Sequence, residues 1–247
     1  MVSLNYMELK NHNGFIFVTL KQRNSQRRLL MGSITRSFAN NITTSGVLLP
    51  ASLVNNSIAN VTSYNAAVAT GGMVLLSTQT ASNSASLSFT TGIDSTYKEY
   101  QFYCIDIHAR TDGANFTFNL STDSGSNYNV TKTTTAFGAY HLESDADAGL
   151  DYQTANDLAQ STSFQIIGNS TGNGADESIG GSMQLFNPAS TTYVKHFISN
   201  ISNYQSTDTI NNTYVAGYGN TTSAVNALQF KMSSGNMDGT ILMYGIV

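Results

Sequence analysis

The sequence predicts an all-β fold, specifically a two-sheet antiparallel β-sandwich in which a jelly roll is the expected topology. Short runs of β-branched and aromatic residues alternate with clusters of Ser, Asn, Asp and Gly, which is the pattern of strands and turns in a sandwich or barrel. Helical periodicity is nearly absent. The 247 residues include only 2 prolines, so almost every run is free to pair within a sheet. An up-and-down barrel is the alternative arrangement.

The strongest predicted strand covers residues 97–109. Tyr100, Phe102 and Cys104 interleave with further apolar side chains, so both faces of this strand are apolar and a central position in the sheet is expected. The run at 116–120 places its two phenylalanines and its leucine on one face. That face is expected to point into the core.

The other predicted strands fill most of the chain after residue 72. They are residues 73–78, 85–90, 128–140, 164–168, 180–186, 193–201, 213–218, 224–232 and 240–247. We expect the last strand to pair with its predecessor through a turn at residues 234–239. This pairing would place the C-terminus inside the sheet.

Residues 141–157 lack a clear period. This segment carries five carboxylates, at Glu143, Asp145, Asp147, Asp151 and Asp157. Polar segments of this length without periodicity are typical of loops. The sequence therefore predicts a long acidic loop, with one helical turn near residues 155–160.

Three carboxylates of this loop, Asp145, Asp147 and Asp151, are candidate calcium ligands, because calcium prefers hard oxygen donors. A solvated loop explains the same charges without a metal. Two of these carboxylates could instead act as the acid and base of glycoside hydrolysis, which requires a fixed separation across the bond. We predict no cofactor, with calcium as the alternative.

The remaining chemistry-bearing residues give weaker signals. His108, His141 and His196 could bind a transition metal, but their spacing specifies no site, and structural histidines are the alternative. Cys104 is the single cysteine, so no internal disulfide forms and a buried apolar role is expected. The sequence contains no catalytic triad, phosphate-binding glycine loop or paired-cysteine motif. We therefore assign no catalytic residue and predict that the protein is not an enzyme.

The basic residues are concentrated at the N-terminus. Six of the 11 lysines and arginines lie within residues 1–36, whereas from residue 37 onward 5 basic side chains face 14 acidic ones. We interpret residues 1–30 as a basic extension, either an anchor or a segment before an alternative start at Met31, and residues 31–247 as a single β-sandwich domain. The run at residues 15–20 of this extension could instead add an edge strand to the domain. The acidic balance of the remainder argues against nucleic-acid binding.

The apolar segments are short. No stretch approaches the 18 or so apolar residues that a membrane-spanning helix needs, so we expect no membrane insertion. Charged residues make up only 11% of the chain and no disulfide is available, so stability must come from the core and from oligomerisation.

Several stretches carry a resemblance to a known group of proteins. SITRSFANN at residues 33–41, the segment LLSTQTASNSASLSFTTGIDSTYKEYQFYCIDIHARTDGANFTFNLSTDSGSNYN from Leu75, LFNPASTTYVKHF and LQFKMSSGNMDGTILMYGI resemble small proteins encoded by tailed phages, chiefly of marine bacteria. The resemblance covers roughly residues 31–247. It implies a virion structural or tail-fibre-like protein, assembled in the host cytoplasm, whose partners are other virion proteins. We also expect a homo-oligomer, and a trimer is one candidate because trimers are common in viral fibres.

Tyrosine is the residue type most relevant to binding. The chain contains 13 tyrosines and no tryptophan, and exposed tyrosine rings stack on sugars while their hydroxyls donate hydrogen bonds. The candidate ligand-binding residues, which lie near predicted turns, are Tyr128, Tyr140, Tyr152, Tyr204 and Tyr218. Cross-strand packing is the alternative role for each. Polysaccharide of the host surface is the expected ligand.

These observations leave three functions in order of preference. The first is a tail-fibre or adhesion-type module that presents a polar surface rich in Tyr and Asn to host glycans or other virion proteins. The second is a capsid decoration or connector protein with a purely structural role. A glycan-cleaving enzyme is the weakest alternative.

Overall fold

The structure is a computed structural model that describes the backbone of residues 5–12 and 15–22 and all atoms of residues 72–247. The chain divides into two units, residues 1–70 and 71–247. In the first unit, β1 (Asn5–His12) pairs antiparallel with β2 (Phe15–Gln22), so the run at 15–20 lies in a strand. The predicted boundary near residue 30 lies outside the described residues.

The second unit consists of strands, turns and loops. Its strands are β3 (Met73–Ser84), β4 (Leu87–Phe89), β5 (Glu99–Ala109), β6 (Ala114–Ser121), β7 (Lys132–Leu142), β8 (Ala148–Tyr152), β9 (Gln165–Thr171), β10 (Ile179–Phe186), β11 (Lys195–Gln205), β12 (Thr209–Gly219), β13 (Ala227–Met232) and β14 (Met237–Ile246). The predicted all-β class is therefore confirmed for residues 72–247. No helix in the described ranges is long and apolar enough to cross a membrane.

The twelve strands of the second unit pair antiparallel throughout and curl nearly into a barrel. Eight of them are hydrogen-bonded in the order β3-β14-β5-β10-β11-β12-β7-β8, and four in the order β9-β6-β13-β4. The two sets join where Gln205 of β11 pairs with Thr171 of β9. Because β14 lies between β3 and β5, the strand order excludes an up-and-down barrel.

The core lies between the two sets of strands and combines phenylalanine rings with buried aliphatic and methionine side chains. Phe118 of β6 meets Phe197 of β11 at 4.9 Å between ring centroids, and Phe102 of β5 meets Phe230 of β13 at 5.7 Å. All four rings are buried. These edge-to-face contacts add to the hydrophobic stabilisation from burial. The inward face predicted for residues 116–120 and the central position predicted for β5, between β14 and β10, are both confirmed.

The predicted pairing of the last two strands is wrong. β13 pairs with β4 and β6, whereas β14 pairs with β3 and β5. The connection at residues 233–236 therefore passes from one set of strands to the other instead of closing a hairpin. β14 buries Ile241 and Met243 on one face. Its backbone N–H and C=O groups are paired along both edges, because it lies between two neighbouring strands, whereas a strand in an edge hairpin would leave one edge unpaired. The C-terminal strand does lie inside the sheet, as expected.

The predicted acidic loop at residues 141–157 is also wrong in part. It contains β8, which pairs with β7, and residues 153–156 form a hydrogen-bonded turn where a helical turn was expected. β8 is an edge strand whose side chains are mostly exposed on both faces, so its sequence lacks the alternation that marks a half-buried strand. Strand β7 begins at Lys132 rather than at residue 128.

Candidate functional site

A polar groove of about 320 Å³ lies beside the edge formed by β7 and β8. We use this name for the cavity whose lining includes side chains of β7, β8, β9, β11 and β12 and the loop after β8. The lining residues are Tyr140, Asp151, Tyr152, Gln153, Thr154, Ala155, Asn156, Asn169, Gln205 and Asn211. Most of them carry amide, carboxyl or hydroxyl groups, so the groove can hydrogen-bond a ligand from several directions.

Strand register sets the floor of the groove. Asn211 of β12 is the direct partner of Tyr140 of β7, and Gly138 is the partner of Asp151 in β8. Residues directly opposite each other in antiparallel strands share a face of the sheet. The floor therefore presents an amide and a phenol side by side, with a carboxylate on the neighbouring strand.

The wall of the groove is held by an amide network. Gln153 donates its backbone N–H to the carbonyl of Ala136 (2.9 Å), and Asn156 donates its side-chain N–H to Gln153 Oε1 (2.7 Å). The side chain of Gln165 in turn donates to the carbonyl of Asn156 (2.6 Å). Both Gln153 and Asn156 are buried. These bonds fix the wall before any ligand arrives, which lowers the entropy cost of binding.

Gly138 leaves room for the side chains of this wall. A Cβ atom at this position would lie in contact with Gln153 Nε2 and 2.9 Å from Asn211 Oδ1. Any larger residue would therefore displace the amide groups of the groove. The glycine has a local packing role at the site.

One acceptor in the groove has no partner among the described residues. Asn169 Oδ1 is shielded from solvent and receives no hydrogen bond, although the backbone carbonyl of the same residue accepts bonds from the side chains of Asn203 and Gln205. The side-chain oxygen of Asn203 behind it is also buried and unpartnered. Buried polar atoms of this kind are uncommon in folded proteins and point to a missing donor.

The rim of the groove is acidic. Tyr140 donates its hydroxyl to Asp147 Oδ2 (3.1 Å), and Tyr152 donates to Asp157 Oδ2 (2.7 Å). The hydrogen bond to Asp147 and the negative charges of Asp147 and Asp151 raise the pKa of Tyr140. Tyr140 therefore stays neutral and available as a hydrogen-bonding group near neutral pH, in a field that disfavours anions.

The opposite face of the same strands carries an exposed aromatic row, which we define as Tyr214, Phe137 and Tyr152. The rings of Phe137 and Tyr214 are stacked, with centroids 5.2 Å apart and an 8° angle between planes. Tyr152 is the direct strand partner of Phe137. The exposed fractions are 38% for Tyr214, 44% for Phe137 and 51% for Tyr152. Three adjoining aromatic residues at the surface form a platform for a flat apolar ligand face.

The structure brings two of the five predicted tyrosines together at this edge, Tyr140 and Tyr152. Tyr218 lies elsewhere, beside His196 (5.9 Å between centroids), in a shallow apolar depression of about 570 Å³ on β11 and β12. The exposed surface of the depression is mostly apolar, although three threonines of β7 also line it.

The other two tyrosines also lie apart from the groove. Tyr204 on β11 hydrogen-bonds to Glu143, and this bond raises the pKa of Tyr204 to about 12. Tyr128 is half-buried, and its hydroxyl lies close to the turn at Gly125, where an added Cβ would meet it at 2.7 Å. Their ligand-binding roles stay predictions.

The three predicted calcium ligands lie in two places. Asp145 and Asp147 are in the turn between β7 and β8, and Asp151 is on β8. Asp145 accepts a hydrogen bond from His141 Nε2 (3.1 Å), Asp147 bonds to Tyr140, and Asp151 lines the groove. Within residues 72–247, no three His, Cys, Asp or Glu side chains are arranged to hold one metal ion. The calcium site therefore gains no support from the described residues and stays a prediction.

The histidines considered for a transition metal lie on separate strands. His108 of β5 bonds through Nδ1 to the carbonyl of Glu177 (2.7 Å), while His141 bonds to Asp145 and His196 lies against Tyr218. Cys104 is buried, and burial raises its pKa to about 12, which fits the inert apolar role expected from sequence.

Sequence reasoning missed the groove amides and the stacked pair on the other face. Asn203, Gln205 and Asn211 occupy inward positions of β11 and β12, where the two-residue period calls for apolar side chains. That break in the alternation is a signal that could have identified the groove.

A scan against protein-family models, a search of curated proteins and a search of solved structures each found no match to this chain.

Proposed function

We propose that this chain is a non-enzymatic structural protein of a phage virion, an adhesion-type module that binds glycans of the host surface through the edge formed by β7 and β8. One observation carries the proposal: a polar groove and an exposed aromatic row share this edge and meet at Tyr152. Sugars present hydroxyl groups for polar contacts and flat apolar ring faces for stacking. The resemblance to tailed-phage proteins supports the virion location.

The strand order supports a jelly roll of two sheets as the core of this module. The strands β3, β14, β5 and β10 would form one sheet and β9, β6, β13 and β4 the other. Most successive strands then fall in different sheets, which is characteristic of jelly rolls. The hairpins β7–β8 and β11–β12 would extend the first sheet, so the proposed binding edge would be an addition to the basic fold.

The proposal predicts that loss of the stacked pair weakens glycan binding. The full chain should bind at least one of a panel of envelope polysaccharides from marine bacteria immobilised on a biosensor. Phe137→Ser and Tyr214→Ser should each weaken this binding about tenfold, equivalent to roughly 1.4 kcal/mol of lost contact. Tyr193→Ser is the matched control, because Tyr193 is 70% exposed and lies outside the row. Equal affinities for all four proteins would contradict a role for the row, and a panel without any binding would contradict the glycan-binding function.

A decoration or connector protein is the second candidate, and a separate surface favours it. The outward faces of β3, β5 and β14 carry an exposed apolar patch that contains Met73, Leu75, Tyr103 and Ile105, with Tyr103 packed edge-to-face on Tyr244 (5.8 Å). Contiguous exposed apolar surface is typical of contacts between proteins. Such a patch fits other virion proteins or further copies of the chain in a homo-oligomer, of which a trimer is the expected form.

Immunogold labelling of intact particles separates the two candidates. Label at fibre tips is the result expected for an adhesion module. Label over the head or at a tail joint would favour the decoration or connector role, and an unlabelled particle would contradict both.

A further inference from the structure

We infer that the polar groove takes one neutral, hydroxyl-rich sugar unit and discriminates against carboxylated and sulfated sugars. This inference rests on the proposed glycan-binding function and names the ligand class of that site. The argument uses the size of the groove, its hydrogen-bonding groups and its charge.

The size of the groove suits a small ligand. Its volume of about 320 Å³ is at the lower end of the roughly 300–1,000 Å³ range of small-molecule sites. The walls are fixed by the hydrogen bonds of Gln153 and Asn156, so the groove is formed in the unbound chain. A single sugar unit at the end of a glycan fits these dimensions better than a long polymer segment.

The hydrogen-bonding groups match hydroxyls. Asn169 lines the groove, and its Oδ1 is a shielded acceptor without a partner in the described part of the chain, so a ligand hydroxyl that donates a hydrogen bond would satisfy it. Amide side chains such as Gln205 and Asn211 offer both donors and acceptors, and each sugar hydroxyl can do the same. A ligand with several adjacent hydroxyls therefore pairs with this lining in a way that an apolar molecule cannot.

The charge of the groove sets the discrimination. Among the residues that line it, Asp151 is the one charged side chain, and Asp147 lies at the rim against Tyr140. No Lys, Arg or His belongs to the lining. A carboxylate or sulfate on the sugar would be held near two negative charges with no compensating cation, which is unfavourable in a partly desolvated site.

Backbone-amide NMR of the full chain titrated with methyl glycosides tests the inference. Methyl glucoside, methyl galactoside and methyl mannoside are the neutral probes, and methyl glucuronide is the anionic probe. At least one neutral probe should shift the amide signals of Gly138, Asp151 and Gln153, with affinity at least tenfold higher than that of methyl glucuronide. Asp151→Asn should narrow that difference, because it removes the charge that faces the ligand.

A glycine pair provides the matched control. Gly138→Ala should abolish the shifts, because the added methyl group displaces Gln153, whereas Gly180→Ala should preserve them, because a Cβ at Gly180 meets no atom within 4 Å. Unchanged signals elsewhere in the spectrum would show that both variants are folded. Asp151→Asn gives an independent reading if Gly138→Ala does not fold.

Failure of this inference is distinguishable from failure of the proposed function. If no neutral glycoside moves the groove signals at tens of millimolar, or if methyl glucuronide binds as well, the inference is wrong, even where the chain binds a host polysaccharide. If a neutral glycoside binds in the groove while no envelope polysaccharide is bound, the ligand class stands and the adhesion function fails.

Discussion

Two regions of the interior bury side chains to a similar degree but differ in chemistry. The aromatic core, which we define as Phe89, Phe102, Phe116, Phe118, Phe197 and Phe230, is apolar and densely interlocked. The polar interior, which we define as Thr171, Asn203, Gln205, Asn211 and Thr213, lies at and behind the groove and includes atoms without hydrogen-bond partners among residues 72–247.

The contrast is visible within single strands. On the inward face of β11, Phe197, Ser199 and Ile201 are followed by two buried amides, Asn203 and Gln205. Burial of apolar groups stabilises the fold, whereas burial of an unpartnered amide oxygen costs free energy. The difference teaches that the aromatic core stabilises the domain, whereas the unpartnered atoms of the polar interior cost stability; under the proposed function, these polar groups serve ligand recognition.

The largest effect should follow from damage to the aromatic core. Phe230 is fully buried and contacts the rings of Phe89, Phe102, Phe116 and Phe118. Phe230→Ala should lower the free energy of unfolding by about 3–5 kcal/mol, because it removes apolar contacts and leaves a cavity. Equilibrium denaturation in urea measures this change. A loss below about 1 kcal/mol would contradict the assignment of this cluster as the stabilising core.

The parts of the fold that were predictable from sequence are mainly the strands that supply the aromatic core. The alternation of residues 116–120 and the apolar run of β5 follow directly from burial, so their positions were predicted correctly. The pairing of β14 was not predictable from local pattern, because its neighbours β3 and β5 are distant in sequence. β8 escaped prediction because an exposed edge strand needs no apolar period.

The site was less predictable than the fold. Tyr140 and Tyr152 were chosen for their residue type and position near turns, and the structure brings both to the groove. The break in alternation at Gln205 and Asn211 marks them as inward polar residues, but it does not show that they lie beside Asn169. Their convergence depends on the register of β7, β11 and β12, which only long-range pairing determines.

A second effect on stability should come from a lysine that is buried at the end of β7 away from the groove. Lys132 is fully buried and donates from Nζ to Asn119 Oδ1 (2.5 Å) and to the carbonyl of Val130 (2.8 Å). Burial lowers the pKa of Lys132 to about 7. Since the folded pKa is below the unfolded one, the unfolded chain holds one more proton between these values, and the free energy of unfolding should rise with pH through that window.

Lys132→Met tests this pH dependence. Between pH 7 and pH 9.5, this one group should raise the free energy of unfolding of the wild-type chain by up to about 3 kcal/mol. The free energy of unfolding of the variant should lack this rise. Urea denaturation at a series of pH values measures both slopes. Parallel pH profiles for the two proteins would show that Lys132 remains protonated in the fold.

The smallest effect is expected in the polar interior, and it tests the central comparison most directly. Asn203 is fully buried, and its side-chain oxygen has no partner within the described residues. Asn203→Leu keeps the number and branching of the side-chain heavy atoms, removes the unpartnered oxygen and adds apolar burial, while the carbonyl of Asn169 keeps its hydrogen bond from Gln205 (3.1 Å).

The decisive measurement is the free energy of unfolding of Asn203→Leu beside that of Ile201→Ala, two residues earlier on the same face of β11. The comparison of the two regions predicts a change within about 1 kcal/mol for Asn203→Leu and a loss of about 2–5 kcal/mol for Ile201→Ala. A loss of similar size in both variants would show that the polar interior stabilises the fold as the aromatic core does, and would contradict the account.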